Sequence, residues 1–242
     1  MSDEKVIDRW NKAAQYYDES YSKNAFYPIM IERIIQLANP NADDVVLDIG
    51  TGTGALAIKI APKVRKVIAI DTSEEMLKLA KEKAKQADME NIEFKIGSFT
   101  EPNVDEQLDI IISNLVFEWV PDRDKRTAIN AMSSLLKGSG RAILGERMLF
   151  FDVVKEPERA EEVLNNFMTR LTGKSMSEFH EEFEKVKDKI DYDSLRDKFQ
   201  QDHNEIKCSA ENLTKLFEEN GFKVEKVEEI MPILGIISAR KA

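Results

Sequence analysis

The sequence predicts an α/β fold: a doubly wound, mostly parallel sheet with helices on both faces and a helical insertion. Three observations predict it. From Val45 to Arg147 short apolar runs alternate with helix-period segments, the pattern of strand–helix–strand crossovers. Runs such as "VIAI" and "DIIIS" are apolar almost throughout, which suits strands buried on both faces. The first run ends in three glycines, Gly50, Gly52 and Gly54. Such a turn joins a strand to a helix and leaves backbone bare for a ligand.

The elements follow in order. Two helices come first, over about residues 4–20 and 25–38. In the second, Ile29, Met30, Ile34 and Leu37 form an apolar stripe interrupted by Arg33. "NPNADD", Asn39 to Asp44, is turn-rich and separates this pair from the sheet. "VVLDI" is the first strand, "ALAIKIAP" begins a helix and "KVIAI" is the second strand. "SEEMLKLAKEKAKQA" is a helix, "IEFKI" and "LDIIIS" are the third and fourth strands, "DKRTAINAMSSLL" is a helix and "GRAILGER" the fifth strand.

Past Arg147 the rhythm stops. Val163, Phe167 and Leu171 recur every four residues, Phe179 and Phe183 precede Val186 and Ile190, and Ser175-x-x-Glu178 suits a capping box. An insertion after the fifth strand falls at the carboxyl edge of the sheet, where ligands bind, so residues 151–205 are expected to form a substrate lid. Residues 1–40 are expected to cover the cleft, and 41–150 with 206–242 to form the ligand-binding α/β core. Ser209 is placed to N-cap "AENLTKLFEEN", and Gly221 stands where a helix C-cap belongs. "FKVEKVEEI" and "ILGIISARK", joined at Pro232, read as closely connected strands that can pair antiparallel.

The 242 residues allow one α/β domain with an elaboration. The single cysteine, Cys208, excludes an intramolecular disulfide and any multi-cysteine metal site, and fits a reducing, cytoplasmic setting. His180 and His203 are the only histidines, so no histidine-rich metal site is expected. No apolar run reaches ~18 residues, so no membrane helix is expected. "MSDEKVIDRW" lacks the basic-then-apolar order of a secretory signal. The formal net charge of −10 disfavours nucleic acid and anionic membrane as partners.

The glycine turn fits two ligand templates. Gly50-x-Gly52-x-x-Ala55 matches a dinucleotide fingerprint; Gly50-x-Gly52-x-Gly54 with Asp48 ahead of it matches an S-adenosylmethionine loop. A dinucleotide's pyrophosphate would sit at the helix N-terminus, where a carboxylate at Asp48 repels it, the more so at low dielectric. A cofactor with an ammonium and a sulfonium is attracted instead. Asp71 ends the second strand, 21 residues after Gly50, and can accept both hydroxyls of an adenosine ribose in either cofactor. Thr72-x-x-Glu75 suits a capping box that would fix Asp71, and Met76 then lies one turn into the helix, against the adenine or in the core.

"VLDIGTGTGALAI", "VIAIDTSEEML", "FKIGSF", "LDIIISNLVFEWV" and "LLKGSGRAILGE" resemble, in order and spacing, the successive motifs of class I S-adenosylmethionine-dependent methyltransferases. The resemblance runs from Val45 to Glu146. "IDRWNKAAQYYDESY" resembles the N-terminal helix of small-molecule members, among them the trans-aconitate methyltransferases and the enzymes that methylate malonyl carrier protein in biotin synthesis. The resemblance implies a Rossmann-like, seven-stranded sheet with the last strand antiparallel. It implies that Asp48 with Gly50, Thr51, Gly52 and Gly54 holds the methionine end, and that Asp71, beside Thr72, binds the ribose. Ser98 and Phe99 would flank the adenine, although many relatives carry an acid at Ser98. Asn114 and Leu115 would lie beside the methionine portion, and Tyr16, Tyr17 and Tyr21 would close the cleft.

Methyl transfer of this kind is an in-line displacement from a sulfonium, for which alignment supplies ~7–11 kcal/mol and a cover excludes water. Several small-molecule relatives carry a histidine before the tryptophan of "FEWV". Here Glu118 stands in that place, a weak candidate base beside Trp119, so no catalytic residue is assigned. The expected function is S-adenosylmethionine-dependent methyl transfer to a small-molecule acceptor. The alternatives are a methyltransferase-fold binding or partner-regulating module, a methyltransferase acting on protein, and, least favoured, an NAD(P)-dependent oxidoreductase.

Overall fold

The structure, a computed structural model, describes residues 3–21, 26–151, 156, 158–159, 209–231 and 233–242, with the side chains of 7–18 in the first helix. Apart from residues 151, 156, 158 and 159, the expected helical lid lies outside the described residues, as do its capping box, His180, His203, Cys208 and Pro232.

Helices α1 (Asp3–Tyr21) and α2 (Phe26–Ala38) precede β1 (Val45–Ile49), α3 (Ala55–Ile60), β2 (Lys66–Asp71), α4 (Glu74–Gln86), β3 (Ile92–Ile96) and β4 (Leu108–Asn114). A 3-10 turn (Phe117–Trp119), α5 (Asp122–Leu135), β5 (Leu136–Arg147), α6 (Ala210–Glu218), β6 (Phe222–Met231) and β7 (Leu234–Lys241) follow. The seven strands form one sheet in the order β3-β2-β1-β4-β5-β7-β6. Neighbours from β3 through β5 pair parallel, whereas β7 is antiparallel to both β5 and β6. The seven strands and the antiparallel β7 match the expectation.

Strand periodicity divides the core. Val45, Leu47 and Ile49 pack with Phe117, Ile129, Met132 and Phe217 under α5 and α6. Val46 packs the other way, with Met30, Ile34, Ile60 and Ile143 under α2 and α3. Each fully buried Leu, Ile or Phe in these layers contributes roughly 1.5–3 kcal/mol. Glu74 and Glu75 in the first turn of α4 and Lys83 and Lys85 in its last complement the helix dipole.

Three local readings are corrected. The buried stripe of α2 is Met30, Ile31, Ile34, Ile35 and Ala38, while Ile29 is half exposed. Arg33, beside that stripe, forks onto Glu228 of β6 at 2.8–3.1 Å. Thr72 does not cap α4; Ser73 does, its Oγ accepting the Met76 amide at 3.1 Å. The fifth strand starts at Leu136, not Gly140, because buried Leu136 already pairs with Leu108. The chain then bulges before Arg141 pairs with Ile110. A Cβ on Gly140 would meet Leu136 at 2.8–3.0 Å, so this bulge needs a bare backbone. Ser209 caps α6 as expected, accepting the Asn212 amide at 3.1 Å, and Gly221 turns the chain out of α6 at φ +82°.

Candidate functional site

Strand order reverses between β1 and β4, and the glycine turn leaves β1 at that switch point. In open α/β sheets this is where a crevice forms for ligands. Gly50, Gly52 and Gly54 all adopt left-handed backbone, at φ +70°, +54° and +85°. A Cβ on Gly50 would lie 2.4–2.5 Å from the methyls of Val116, so Gly50 lets the segment after β4 close on the turn. On Gly54 it would lie 3.1 Å from Cβ of Ala80, in the α3–α4 contact. The amides of Gly50 and Thr51 both donate to the Ile70 carbonyl, at 2.8 and 2.9 Å. Asp71 completes the tie: its Oδ2 accepts the Gly52 amide at 2.8 Å and its Oδ1 the Ser73 amide at 2.9 Å.

Beside this turn lies a cavity of about 370 Å³, within the size range of small-ligand sites. Gly50 and Gly52 line one side; Asp71, Thr72 and Met76 form the mouth at β2 and α4; Gly97, Ser98, Phe99 and Thr100 follow β3; Leu115, Val116, Trp119 and Val120 follow β4. Helix α1 supplies Ile7, Trp10 and Tyr17. It is held there by Ser73 Oγ donating to Asn11 (2.6 Å) and Thr53 Oγ1 donating to Asp18 (2.7 Å). Trp10 meets Trp119 edge-on at 5.4 Å, and Arg9 lies 4.6 Å over the Trp119 ring. A larger hollow of about 550 Å³ lies beyond Tyr17, lined by Tyr27, Pro28, Ile31 and Ile58 among others. It reaches neither Gly50, Gly52 nor Asp71; the smaller cavity holds all three and is the candidate site.

The expected site residues divide accordingly. The cavity brings together Tyr17, Gly50, Gly52, Asp71, Thr72, Met76, Ser98, Phe99 and Leu115. Asp48, Thr51, Gly54 and Asn114 are not on its wall. Asp48 is buried, its Oδ2 accepting Thr51 Oγ1 at 2.7 Å, so it anchors the turn from within. Burial pushes the Asp48 carboxyl up to about 7; the Thr51 hydroxyl opposes this shift, the Asp71 charge adds to it and the Ala57 amide opposes it. Burial also raises Asp71, against the amides of Ser73, Gly52 and Thr72. Among the described residues no lysine or arginine forms an ion pair with either acid. Asn114 is buried, and both polar atoms of its amide lack a hydrogen-bond partner among the described residues. Ser98 Oγ accepts the Glu101 amide at 3.0 Å, so the hydroxyl shapes its own turn.

Two expectations fail on geometry. Tyr16 is 66% exposed and is not on the cavity wall; the Tyr21 side chain lies outside the described residues. Glu118 is off the cavity wall, and its buried carboxylate is forked by Arg147 at 2.6–3.1 Å. A carboxylate held by a guanidinium away from the cavity does not reach an acceptor's proton. Sequence reasoning missed Trp10, which nothing local marks. It also missed Glu146, whose signal was an acid at the carboxyl end of β5. Glu146 is 1% exposed, and burial and then the Glu118 charge push its carboxyl up to about 8.

Fold and site together define a doubly wound protein with a ligand-sized crevice at its switch point: a bare glycine turn and, at the end of β2, an acid that no described lysine or arginine pairs. Comparison with known proteins narrows this. The profile of the family described as methyltransferase domain matches residues 40–221. A Staphylococcus carnosus protein named as an uncharacterized methyltransferase is 30% identical over 162 residues, covering 65% of this chain and 72% of the relative. The Enterococcus faecalis release factor glutamine methyltransferase is 41% identical over 144 residues, covering 54% of this chain. The match spans about half of that relative's length (51%). The N-methyltransferase NodS from Bradyrhizobium japonicum, solved with S-adenosyl-l-homocysteine, superposes with TM-score 0.65 at 15% identity, covering 97% of each chain. That likeness speaks for the fold. The chain belongs to the methyltransferase-domain family.

Proposed function

We propose that this protein is an S-adenosylmethionine-dependent methyltransferase acting on a small-molecule acceptor. The observation that carries the reading is Asp71: a half-buried acid on the cavity wall, beside a bare glycine turn, in a chain of the methyltransferase-domain family. When bound, the cofactor supplies a methyl group on a sulfonium leaving group. Asp71 accepts the ribose hydroxyls with the lone pairs its two amide bonds leave. Phe99 and Met76 pack on the adenine with Ser98 and Thr72 beside it. Gly50 and Gly52 give the methionine portion close approach to backbone, and Leu115 and Tyr17 enclose it. Asp48 acts through the turn, favouring cationic groups by its field, while Thr51 and Gly54 keep the turn in shape. The unpartnered amide of Asn114 offers a donor and an acceptor at the end of β4. Trp10 and Tyr17 exclude water.

A small acceptor is supported by the cover that α1 places over the cavity. Protein methylation is the second reading, favoured by the 41% identity to a release factor glutamine methyltransferase. Calorimetric titration with S-adenosylmethionine and S-adenosylhomocysteine tests the assignment. Both are expected to bind, and Asp71→Asn is expected to weaken both by about 10- to 100-fold, the worth of charge-assisted hydrogen bonds. A cooperatively melting wild-type protein that binds neither removes the proposal. Transfer of labelled methyl to a release-factor peptide, and to no small acid or amine, would select the second reading.

A further inference from the structure

We infer that Glu146 is a positioning residue, whose buried carboxyl holds the segment after β4 as one wall of the ligand cavity. The inference rests on the functional reading of that cavity but concerns a residue outside it. β4 and β5 end side by side, with Asn114 opposite Gly145. The chain then leaves β4 through Leu115 in left-handed backbone, at φ +62°, a conformation that costs an ordinary residue energy and persists only where its surroundings fix it. Two contacts fix it, and both come from the end of β5. The Leu115 amide donates to the Gly145 carbonyl at 2.7 Å. The amides of Phe117 and Glu118, at the start of the 3-10 turn, donate to Glu146 Oε1 at 3.0 Å and Oε2 at 3.2 Å. Amides at a helix start have no partner within the helix; the Glu146 carboxyl accepts two of them, through bonds that become charge-assisted where its proton leaves.

The consequence reaches the cavity directly. Leu115, Val116 and Trp119 of this segment line it. Val116 also fills the space that the missing side chain of Gly50 leaves. The segment is therefore clamped between the glycine turn and Glu146. The chemistry requires an acid: with or without its proton each carboxyl oxygen keeps a lone pair to accept an N–H, whereas glutamine would turn its NH₂ toward one of the two N–H groups. Glu118 cannot substitute, because Arg147 holds its carboxylate.

The test compares wild type, Glu146→Gln and Met132→Ala, a core substitution in α5 chosen to lower the melting temperature while leaving the Glu146 hydrogen bonds in place. S-adenosylhomocysteine affinity is read by calorimetry. Trp119 emission is read in a Trp10→Phe background. Glu146→Gln is expected to weaken binding about tenfold and to shift Trp119 emission, while Met132→Ala leaves affinity within about twofold. Unchanged affinity and emission in Glu146→Gln would overturn the inference, as would an equal loss of affinity in Met132→Ala. If wild type binds no ligand, the functional reading fails, and the emission shift alone decides for or against Glu146. If Glu146→Gln does not fold, amide exchange in wild type decides. The Phe117 and Glu118 amides are expected to be as protected as those of β4, and fast exchange at both refutes the clamp.

Discussion

Asp48 and Glu146 are acids that folding takes out of water, with pKa values raised to about 7 and about 8. Each binds its proton more tightly folded than unfolded. Their contribution to stability is thus complete below the unfolded carboxylate range, near pH 4, and is lost as pH rises through 7 to 8. Urea unfolding at pH 5, 6, 7 and 8 is expected to show a steep fall in wild type and a flatter one in Asp48→Asn. The amide keeps an oxygen for the Thr51 hydroxyl but carries no charge to bury. Parallel slopes in the two proteins would count against Asp48 as the titrating group. This corrects the picture of a fixed anion facing the ligand: Asp48 lies beneath the turn, and its charge near neutral pH depends on what binds above it.

Among the elements, the turn between β1 and α3 depends on the segment after β4, because Val116 occupies the place of a Gly50 side chain. Gly50→Ala is expected to lower stability by more than the ~1–2 kcal/mol of a left-handed alanine and to weaken S-adenosylhomocysteine binding at least tenfold. Adding Val116→Ala removes the overlapping methyls but not the backbone cost, so the double variant is expected to recover part of the loss. Melting temperature and calorimetric affinity report both effects. A double variant no better than Gly50→Ala would show that the close approach is not what requires glycine. The turn's glycines were legible in the sequence because left-handed backbone is a local demand. That Gly54 serves the α3–α4 contact was not, since Ala80 comes from a distant stretch of chain.

Across the whole molecule, α1 stands apart from the sheet. It meets α4, the glycine turn and Trp119 through a few polar and aromatic contacts, and no described helix is long and apolar enough to cross a membrane. A ligand held between α1 and the sheet stabilises the folded state by about 2.7 kcal/mol at a hundred times its dissociation constant. Hydrogen exchange with saturating S-adenosylhomocysteine is expected to slow α1 more than β6 and β7. Equal exchange of α1 with and without ligand would mean that the helix does not cover the site.

The sequence by itself determined the alternation of strands and helices, the turn at the switch point, and Asp71 at its mouth. Each of these rests on local chemistry: burial period, left-handed glycine and a strand end. Tertiary structure alone decided that Trp10 crosses to Trp119, that Asp48 is buried beneath the turn, that Ser73 caps α4 in place of Thr72, and that Glu118 is paired with Arg147 rather than turned to an acceptor. The reason is physical. A side chain's neighbours and its access to water are set by elements distant in the chain, and they in turn set its charge and what it can reach.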